Sequence, residues 1–319
     1  MKISVVIPMF NEARHIGRTL DSIRRAADFA RLDYELLVVD NGSTDAGPHI
    51  AAEHGARVLE YPGLSIGALR NRGAEAGSGD WLAFVDADIE APDDWLAIWK
   101  DVHEQRRADV FALECDVPAD APWFARVWQR RKLAADRRER LRDWLTTQNL
   151  CMARSWFERV GGFDERLLTV EDKEFTLRLR RAGARLLSLS APAVLHWGYE
   201  QSWREWLGKE YWRQSSHLRL IRGNVRLRLL RFPLLCLGVA AFTLLALAAL
   251  LFAYPLLAIL ALLPGLLAAL ALSLRQSVKY RQPVFTLQLA GLHWLRLHMG
   301  AAALCSGICK RPVRRPGRG

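Results

Sequence analysis

No cysteine spacing in this chain matches a zinc site, no segment repeats, and no low-complexity linker divides it. Five cysteines are present, Cys115, Cys151, Cys236, Cys305 and Cys309, and only the last two lie near each other, four residues apart. That scarcity excludes a disulfide-stapled scaffold and fits reduced thiols in a cytosolic compartment. An export signal is not expected either, because Ile3–Ile7 is too short for an apolar signal core and runs straight into Pro8. DNA- and RNA-binding motifs are also missing, so nucleic acid is not the expected partner of the net charge of +11. The longest absence is of charge itself. From Phe232 to Leu274 no Asp, Glu, Lys or Arg occurs, whereas about 20 apolar residues suffice to cross a bilayer.

Positive charge is concentrated instead of spread. Arg126–Arg142 and Arg204–Arg231 each hold eight basic and two acidic residues, and five more basic residues follow from Lys310. Two of these clusters flank the uncharged run, which makes anionic lipid the expected partner. Phe232–Tyr254 would span about 34 Å as a helix, and Pro255 can open a return helix ending near Leu274. Basic residues stand on both sides of this hairpin: Arg219–Arg231 before it, and Arg275, Lys279 and Arg281 after it. Both ends are therefore expected on the cytoplasmic face of an inner membrane. A hairpin this short is expected to pack against lipid or against a copy of itself. Val284–Ile308 is apolar but carries Arg296 at its middle, at an insertion cost of about 2.5–3.5 kcal/mol. An interfacial or re-entrant helix is expected there.

The first two hundred residues alternate short apolar runs with amphipathic stretches. Strands are expected at Ile3–Ile7, Tyr34–Val39, Arg57–Glu60, Trp81–Val85, Val110–Cys115 and Leu150–Ala153, and Leu186–Leu195 is a final apolar segment. Helices are expected at Ala13–Ala27, Ser65–Ala76, Trp95–Gln105, along the basic stretch Trp123–Leu145, and at Glu171–Ala182, with Ser155 capping a short one. Such alternation implies a mainly parallel α/β sheet. The expected division is a catalytic domain over 1–200, basic aromatic interfacial helices over 201–231, a membrane hairpin over 232–274, and an amphipathic helix with a basic tail over 275–319. Trp203, Trp206, Tyr211 and Trp212 suit an interfacial belt.

In parallel sheets, ligands sit beyond the carboxyl ends of the strands. Three expected strands end in polar clusters, Pro8–Glu12, Asp40–Asp45 and Asp86–Asp88, which should share one rim. Asp86 and Asp88 end a buried strand, where carboxylates are costly unless paired or metal-bound. A hard divalent cation with a diphosphate is their natural partner, although Asp-x-Asp also occurs in solvated turns. Asp40 could accept from a base or ribose, or close an Asx turn. Glu171 and Asp172 could supply a general base, or only favourable charge at a helix start. Arg126–Arg142 could be a solvated helix, a membrane-docking face, or a wall for a phosphate-bearing lipid.

Taken together, these stretches resemble glycosyltransferase family 2. The likeness rests on Ser4–Pro8 with Phe10-Asn-Glu12, Val38–Asp45, Ala68–Asn71, Phe84–Asp88, and Gly161–Glu165 with Glu171-Asp172, in the family's order and spacing over about Lys2–Trp197. It implies a GT-A fold and an inverting sugar transfer from a nucleotide-diphospho-sugar donor. It further implies that Pro8, Phe10 and Glu12 border the nucleoside, that Asp40 contacts the base, and that Arg70 stacks on it or pairs with phosphate. Asp86 would approach ribose or metal, and Asp88 would hold Mn2+ or Mg2+. Asp172 would be the base, supported by Glu171. His196 would be a late metal or phosphate contact, or else a packed surface histidine. Gln201–Trp206 departs by one inserted residue from the pattern of processive synthases, so transfer of a single sugar to a lipid-linked or saccharide acceptor is expected. A nucleotidyltransferase would carry a glycine-rich first loop, and Met9–Ala13 has no glycine. An inactive membrane-bound scaffold would have no need of all four of Asp40, Asp86, Asp88 and Asp172.

Overall fold

The computed structural model describes residues 1–133, 139–167, 170–215 and 227–309. Its contacts divide the chain into two units, one of residues 1–118 with 136–198 and one of residues 119–135 with 199–319. The boundary expected near residue 200 therefore leaves out 119–135, which packs with the C-terminal unit through apolar residues on one helix face.

The first unit is built on a nine-stranded sheet. Its chain order begins β1 (Lys2–Met9), α1 (Ile16–Ala30), β2 (Asp33–Asp40), α2 (Gly47–Glu53), β3 (Arg57–Glu60), α3 (Ile66–Ala76), β4 (Trp81–Val85), β5 (Ile89–Glu90), α4 (Trp95–Glu104) and β6 (Val110–Asp116). After α5 (Trp123–Arg130), which belongs to the second unit, come β7 (Glu139–Leu141), β8 (Asn149–Ala153), α6 (Arg154–Val160), α7 (Glu171–Arg181) and β9 (Leu186–His196). Spatially the strands run β3-β2-β1-β4-β8-β6-β9-β5, with β7 beside β9. The β3-β2-β1-β4 half is parallel. Beyond it β8 runs antiparallel to both β4 and β6, whereas β6 and β9 are parallel.

Side chains alternate across the sheet with a period of two. Ile3, Val5 and Ile7 face one core with Ile16, Leu20 and Ile23 of α1 and Trp95 and Trp99 of α4. Val6, Leu37, Val39, Leu82 and Phe84 face the other, with Leu69 of α3, Phe157 of α6 and Phe175 and Leu179 of α7. Helix α3 lies so close to the sheet that a Cβ on Gly73 would fall 2.2 Å from Val6 Cγ1. Only glycine permits that approach.

Two local expectations fail. Helix α5 stops at Arg130, and Glu139–Leu141 pairs with β9 as a strand, so the basic stretch is not one helix to Leu145. Pairing of its backbone with a sheet edge outweighs its helical pattern; residues 134–138 of that stretch lie outside the described residues. Ser155 is not a cap, because α6 starts at Arg154 with Ala153 in the capping position and no side-chain bond there.

The second unit holds α5, α8 (Trp203–Ser215), α9 (Leu227–Leu251), α10 (Pro255–Ser277) and α11 (Pro283–Cys309). The stretches Arg231–Leu251 and Pro255–Tyr280 are long and apolar enough to cross a membrane, with mean hydropathies of 2.7 and 2.5. Most of their residues face outward, including Leu244, Leu251, Leu256 and Ile259. Helix α11 packs on α8, α9 and α10. It is continuous over 27 residues.

Candidate functional site

The parallel strands all point their carboxyl ends to one edge, and the loops there are fastened to one another. The Asn11 side-chain oxygen accepts from Thr44 N at 2.8 Å, and Asn11 N donates to Ser43 Oγ at 2.8 Å. Asp45 accepts from Ala13 N at 2.9 Å. Asn41 exchanges two bonds with the backbone of Leu64, at 3.2 and 3.0 Å. These bonds draw the loops after β1, β2 and β3 into one rim. Pro8 is the buried penultimate residue of β1. Phe10 stands out from the rim 51% exposed, and the Glu12 carbonyl starts α1 by accepting from His15 N and Ile16 N.

Asp40 is buried, and its carboxylate turns into its own loop. One oxygen accepts from Gly42 N at 3.0 Å and Ser43 N at 2.9 Å, and the other accepts from Ser43 Oγ at 2.5 Å. This is an Asx turn, the bland reading of that residue, and it shapes the loop from within.

The centre of the site is Arg70. Although charged, it is only 2% exposed, and such burial is tolerated only with ionic partners. Nη2 donates to Asp86 Oδ1 and Nη1 to Glu171 Oε1, each at 2.9 Å. One guanidinium on α3 thus ties the end of β4 to the start of α7, across about a hundred residues of chain. Both arms of Arg70 are thus paired within the protein, and its Nε alone has no partner. Its neighbour Asn71 completes the join. Asn71 Nδ2 donates to the Phe163 carbonyl and to Glu165 Oε1, both at 3.0 Å, while its oxygen accepts from Phe163 N at 2.8 Å. The ring of Phe163 then stacks on Phe175 at 4.0 Å and meets Phe84 edge-on at 5.2 Å, contacts worth about 0.5–1.5 kcal/mol each. Gly162 has φ +70°, and a Cβ there would lie 2.7 Å from Asn71 Oδ1, so glycine is required at the turn.

Four carboxylates therefore share one region. Burial, the largest effect, pushes Asp86 above the ordinary aspartate range; Arg70 pulls it back, and Asp88 adds to the push. Burial likewise raises Asp172, with Glu171 adding to it, while the Lys173 N–H that bonds its Oδ1 at 2.6 Å and the Arg70 charge oppose it. A poised, proton-accepting carboxylate at a helix start is suited to general base work.

Asp88 is held from the far side. Strand β5 follows it and pairs antiparallel with the end of β9, placing Ile89 opposite His196. His196 Nε2 then lies 3.2 Å from Asp88 Oδ2, and Trp197 N donates to the Asp88 carbonyl at 2.8 Å. Among the described residues no three His, Cys, Asp or Glu side chains converge as a complete metal cage. The donor set still fits a hard divalent ion, which takes one or two carboxylates from a protein and further oxygens from a substrate's phosphates. At 3.2 Å, His196 and Asp88 lie within hydrogen-bond reach of each other.

Sequence reasoning missed the brace behind this pair. Trp197 Nε1 donates to Glu90 at 2.6 Å, and the Arg18 guanidinium stacks 3.6 Å over the Trp197 ring. Residues 18, 90 and 197 meet only through the fold, and no local pattern announces them. The paired role of Glu171 was missed for the same reason.

Residues 4–163 match the family model described as glycosyl transferase family 2. A glycosyltransferase of Haloferax volcanii, AglE, is 29% identical over 189 residues, 57% of this chain and 62% of that protein. The undecaprenyl-phosphate 4-deoxy-4-formamido-L-arabinose transferase of Pseudomonas fluorescens is 33% identical over 98 residues, 28% of each. The chain spans less than two thirds of the length of the curated relatives it matches. Among solved structures, a mannosyltransferase of Pyrobaculum calidifontis in complex with GDP-Man and Mn2+ superposes with a TM-score of 0.54 at 18% identity, covering 94% of this chain and 86% of that one. Staphylococcus aureus TarS 1-349 in complex with UDP-GlcNAc superposes with a TM-score of 0.52 at 18% identity, covering 71% and 68%. The fold of the first unit is the expected GT-A arrangement.

Proposed function

The chain belongs to glycosyl transferase family 2, and from that we propose that it transfers one sugar, with inversion, from a nucleoside-diphosphate donor to a membrane-associated acceptor. The observation that carries this reading is the Asp86–Arg70–Glu171 bridge. It sets the Asp86–Asp88 loop and the Asp172 helix start beside each other, as an in-line displacement requires. The acceptor must be activated on one side of the anomeric carbon while the diphosphate leaves on the other.

In this reading Pro8, Phe10 and Glu12 border the nucleoside, with Phe10 offering an exposed ring for the base to stack on. Asp40 contributes by fixing the loop that faces the base. Asp86 is held by Arg70, so it faces the ribose edge in one defined orientation. Asp88 and His196, with Asp86 adjacent, would hold Mn2+ or Mg2+, which when bound neutralises charge on the diphosphate. Asp172 accepts the proton of the acceptor hydroxyl, and its raised affinity for protons makes it a better base than an ordinary aspartate. Glu171 serves through Arg70, fixing the helix start from which Asp172 projects. Arg70 itself neutralises two of the four carboxylates, which would otherwise repel an incoming diphosphate.

One of the relatives is named an undecaprenyl-phosphate 4-deoxy-4-formamido-L-arabinose transferase, and two helices here are apolar enough to span a membrane. Both support a lipid-borne acceptor, and the basic residues on either side of the apolar hairpin support a catalytic unit on the cytoplasmic side of the inner membrane with anionic lipid around them. The test uses the full chain in detergent micelles with a panel of nucleotide sugars and labelled lipid acceptors. The expected result is release of nucleoside diphosphate matched by label in the lipid phase, with Mn2+ or Mg2+ required. Release of pyrophosphate, or transfer unaffected by chelator, would count against the reading.

A further inference from the structure

The direction in which a side chain leaves the backbone is set by the two peptide planes that flank its Cα. For Asp88 both planes are anchored from distant parts of the chain. The plane before it carries the Ala87 carbonyl, which accepts from Thr19 Oγ1 of α1 at 2.8 Å. The plane after it is held twice. Its carbonyl, that of Asp88, accepts from Trp197 N at 2.8 Å, and its N–H, that of Ile89, donates to the Asp86 carbonyl at 3.2 Å. The Trp197 N–H itself lies in the plane that follows His196, so one hydrogen bond couples the backbone of Asp88 to that of His196.

Helix α1 reaches both anchors. Thr19 is 1% exposed, and a hydroxyl so buried needs a partner. A threonine inside a helix often bonds back to the turn before it, but this one reaches out of its helix to Ala87. One residue earlier, Arg18 lays its guanidinium 3.6 Å over the Trp197 ring. Glu90 pins the edge of that ring by accepting from Trp197 Nε1 at 2.6 Å, and it lies 4.0 Å from Arg18 Nε and 3.7 Å from Arg25 Nη2. Positions 18 and 25 are about two turns apart and so share one face of α1. The helix that holds the Ala87 carbonyl therefore also clamps the residue that holds the Asp88 carbonyl.

We propose that Thr19 and Arg18 are positioning residues of the divalent-ion site. Thr19 acts through the Ala87 carbonyl and Arg18 through the Trp197 ring, and together they aim Asp88 and keep it beside His196. The inference rests on the reading of Asp88 and His196 as ligands of that ion. Groups that orient a ligand from behind govern how tightly the ion is held, so affinity for the ion is where their loss shows first.

The test counts Mn2+ bound by the full chain in detergent micelles, from the paramagnetic resonance of the free ion, with UDP and GDP supplied in parallel. Thr19→Val keeps the shape of the side chain and loses its hydroxyl, and it is expected to weaken Mn2+ binding about tenfold. Thr19→Ser restores the hydroxyl and should bind within about twofold of the unaltered chain. Binding of either nucleotide in chelator should be the same in both variants, and a loss there would make Thr19 part of the nucleotide pocket and overturn the inference. Ser22→Ala measures what a merely structural bond is worth. Ser22 is just as buried on the same helix, and its Oγ accepts from Ala91 N at 3.0 Å, three residues past Asp88. Its loss is expected to lower the unfolding midpoint as Thr19→Val does and to leave Mn2+ affinity unchanged. Arg18→Ala removes a side chain that is 43% exposed, so the fold survives it, and a smaller loss of Mn2+ affinity is expected. Unchanged affinity in Thr19→Val, or in Arg18→Ala should Thr19→Val fail to fold, would overturn the inference, and so would an equal loss in Ser22→Ala. Each of these leaves the divalent-ion reading standing. No Mn2+ uptake by the unaltered chain with either nucleotide would end that reading and this inference with it.

Discussion

Two arginines, the buried Arg70 in the first unit and the partly exposed Arg296 in the second, invite comparison. Arg70 is shared between two carboxylates, with two more close by, so its surroundings remain anionic. Arg296 shares one carboxylate with another arginine, and its surroundings remain cationic. The sign of the leftover charge is informative, because a folded interior leaves charge uncompensated mainly where a ligand completes it. The anionic remainder around Arg70 calls for a cation and its diphosphate, whereas Arg296, with a quarter of its side chain exposed, is also screened by solvent.

The strongest way to break the comparison is to remove the base. Asp172→Asn is expected to lower kcat by about 10²–10⁴ while nucleoside diphosphate still stabilises the chain. Loss of donor binding as well would make Asp172 a donor contact. The pH profile sharpens this. Asp172 acts when ionised and is raised by burial, so activity should fall, as pH drops, at a higher pH than an ordinary aspartate would give. An acid limb in the ordinary range would contradict the raised carboxyl.

Arg70→Met leaves Asp86 and Glu171 buried without a partner and is expected to cost about 3–5 kcal/mol, seen as a lowered unfolding midpoint. Pairing it with Glu171→Gln should return part of that loss. A next smaller effect is expected from Asp88→Asn, which should weaken metal-dependent binding of nucleoside diphosphate about 10–100-fold by titration and leave metal-free binding unchanged. The smallest belongs to Phe10→Ala. Its ring is half exposed, so stability should move by no more than about 0.5 kcal/mol, while KM for the donor rises several-fold.

Sequence made the first unit legible where its signals are local. The strands from Ile3 to Val85 and the polar clusters that end them follow from hydrophobic period and from parallel-sheet geometry alone. The uncharged run at Phe232–Leu274 was equally plain. What stayed hidden depends on residues that meet only in three dimensions. Nothing near Arg70 indicates that its two arms end on Asp86 and Glu171, and nothing near Trp197 indicates Arg18. The basic stretch from Arg126 misled because charge periodicity cannot show that Glu139–Leu141 will be taken up by the edge of β9. The membership of 119–135 in the second unit was invisible too, since Phe124 and Trp128 find Trp206 and Phe285 across long stretches of chain.

The single guanidinium at position 70 also limits how this protein can be recombined. A chimera that imports the stretch around residues 160–172 from another sequence, to alter which acceptor is used, inherits a carboxylate whose counter-charge sits on a helix encoded a hundred codons earlier. A crossover anywhere between the two would separate them unless the donor sequence also places an arginine at the matching point of its own α3. The two motifs are therefore expected to travel as one heritable block, and productive shuffling should be confined to breakpoints outside it.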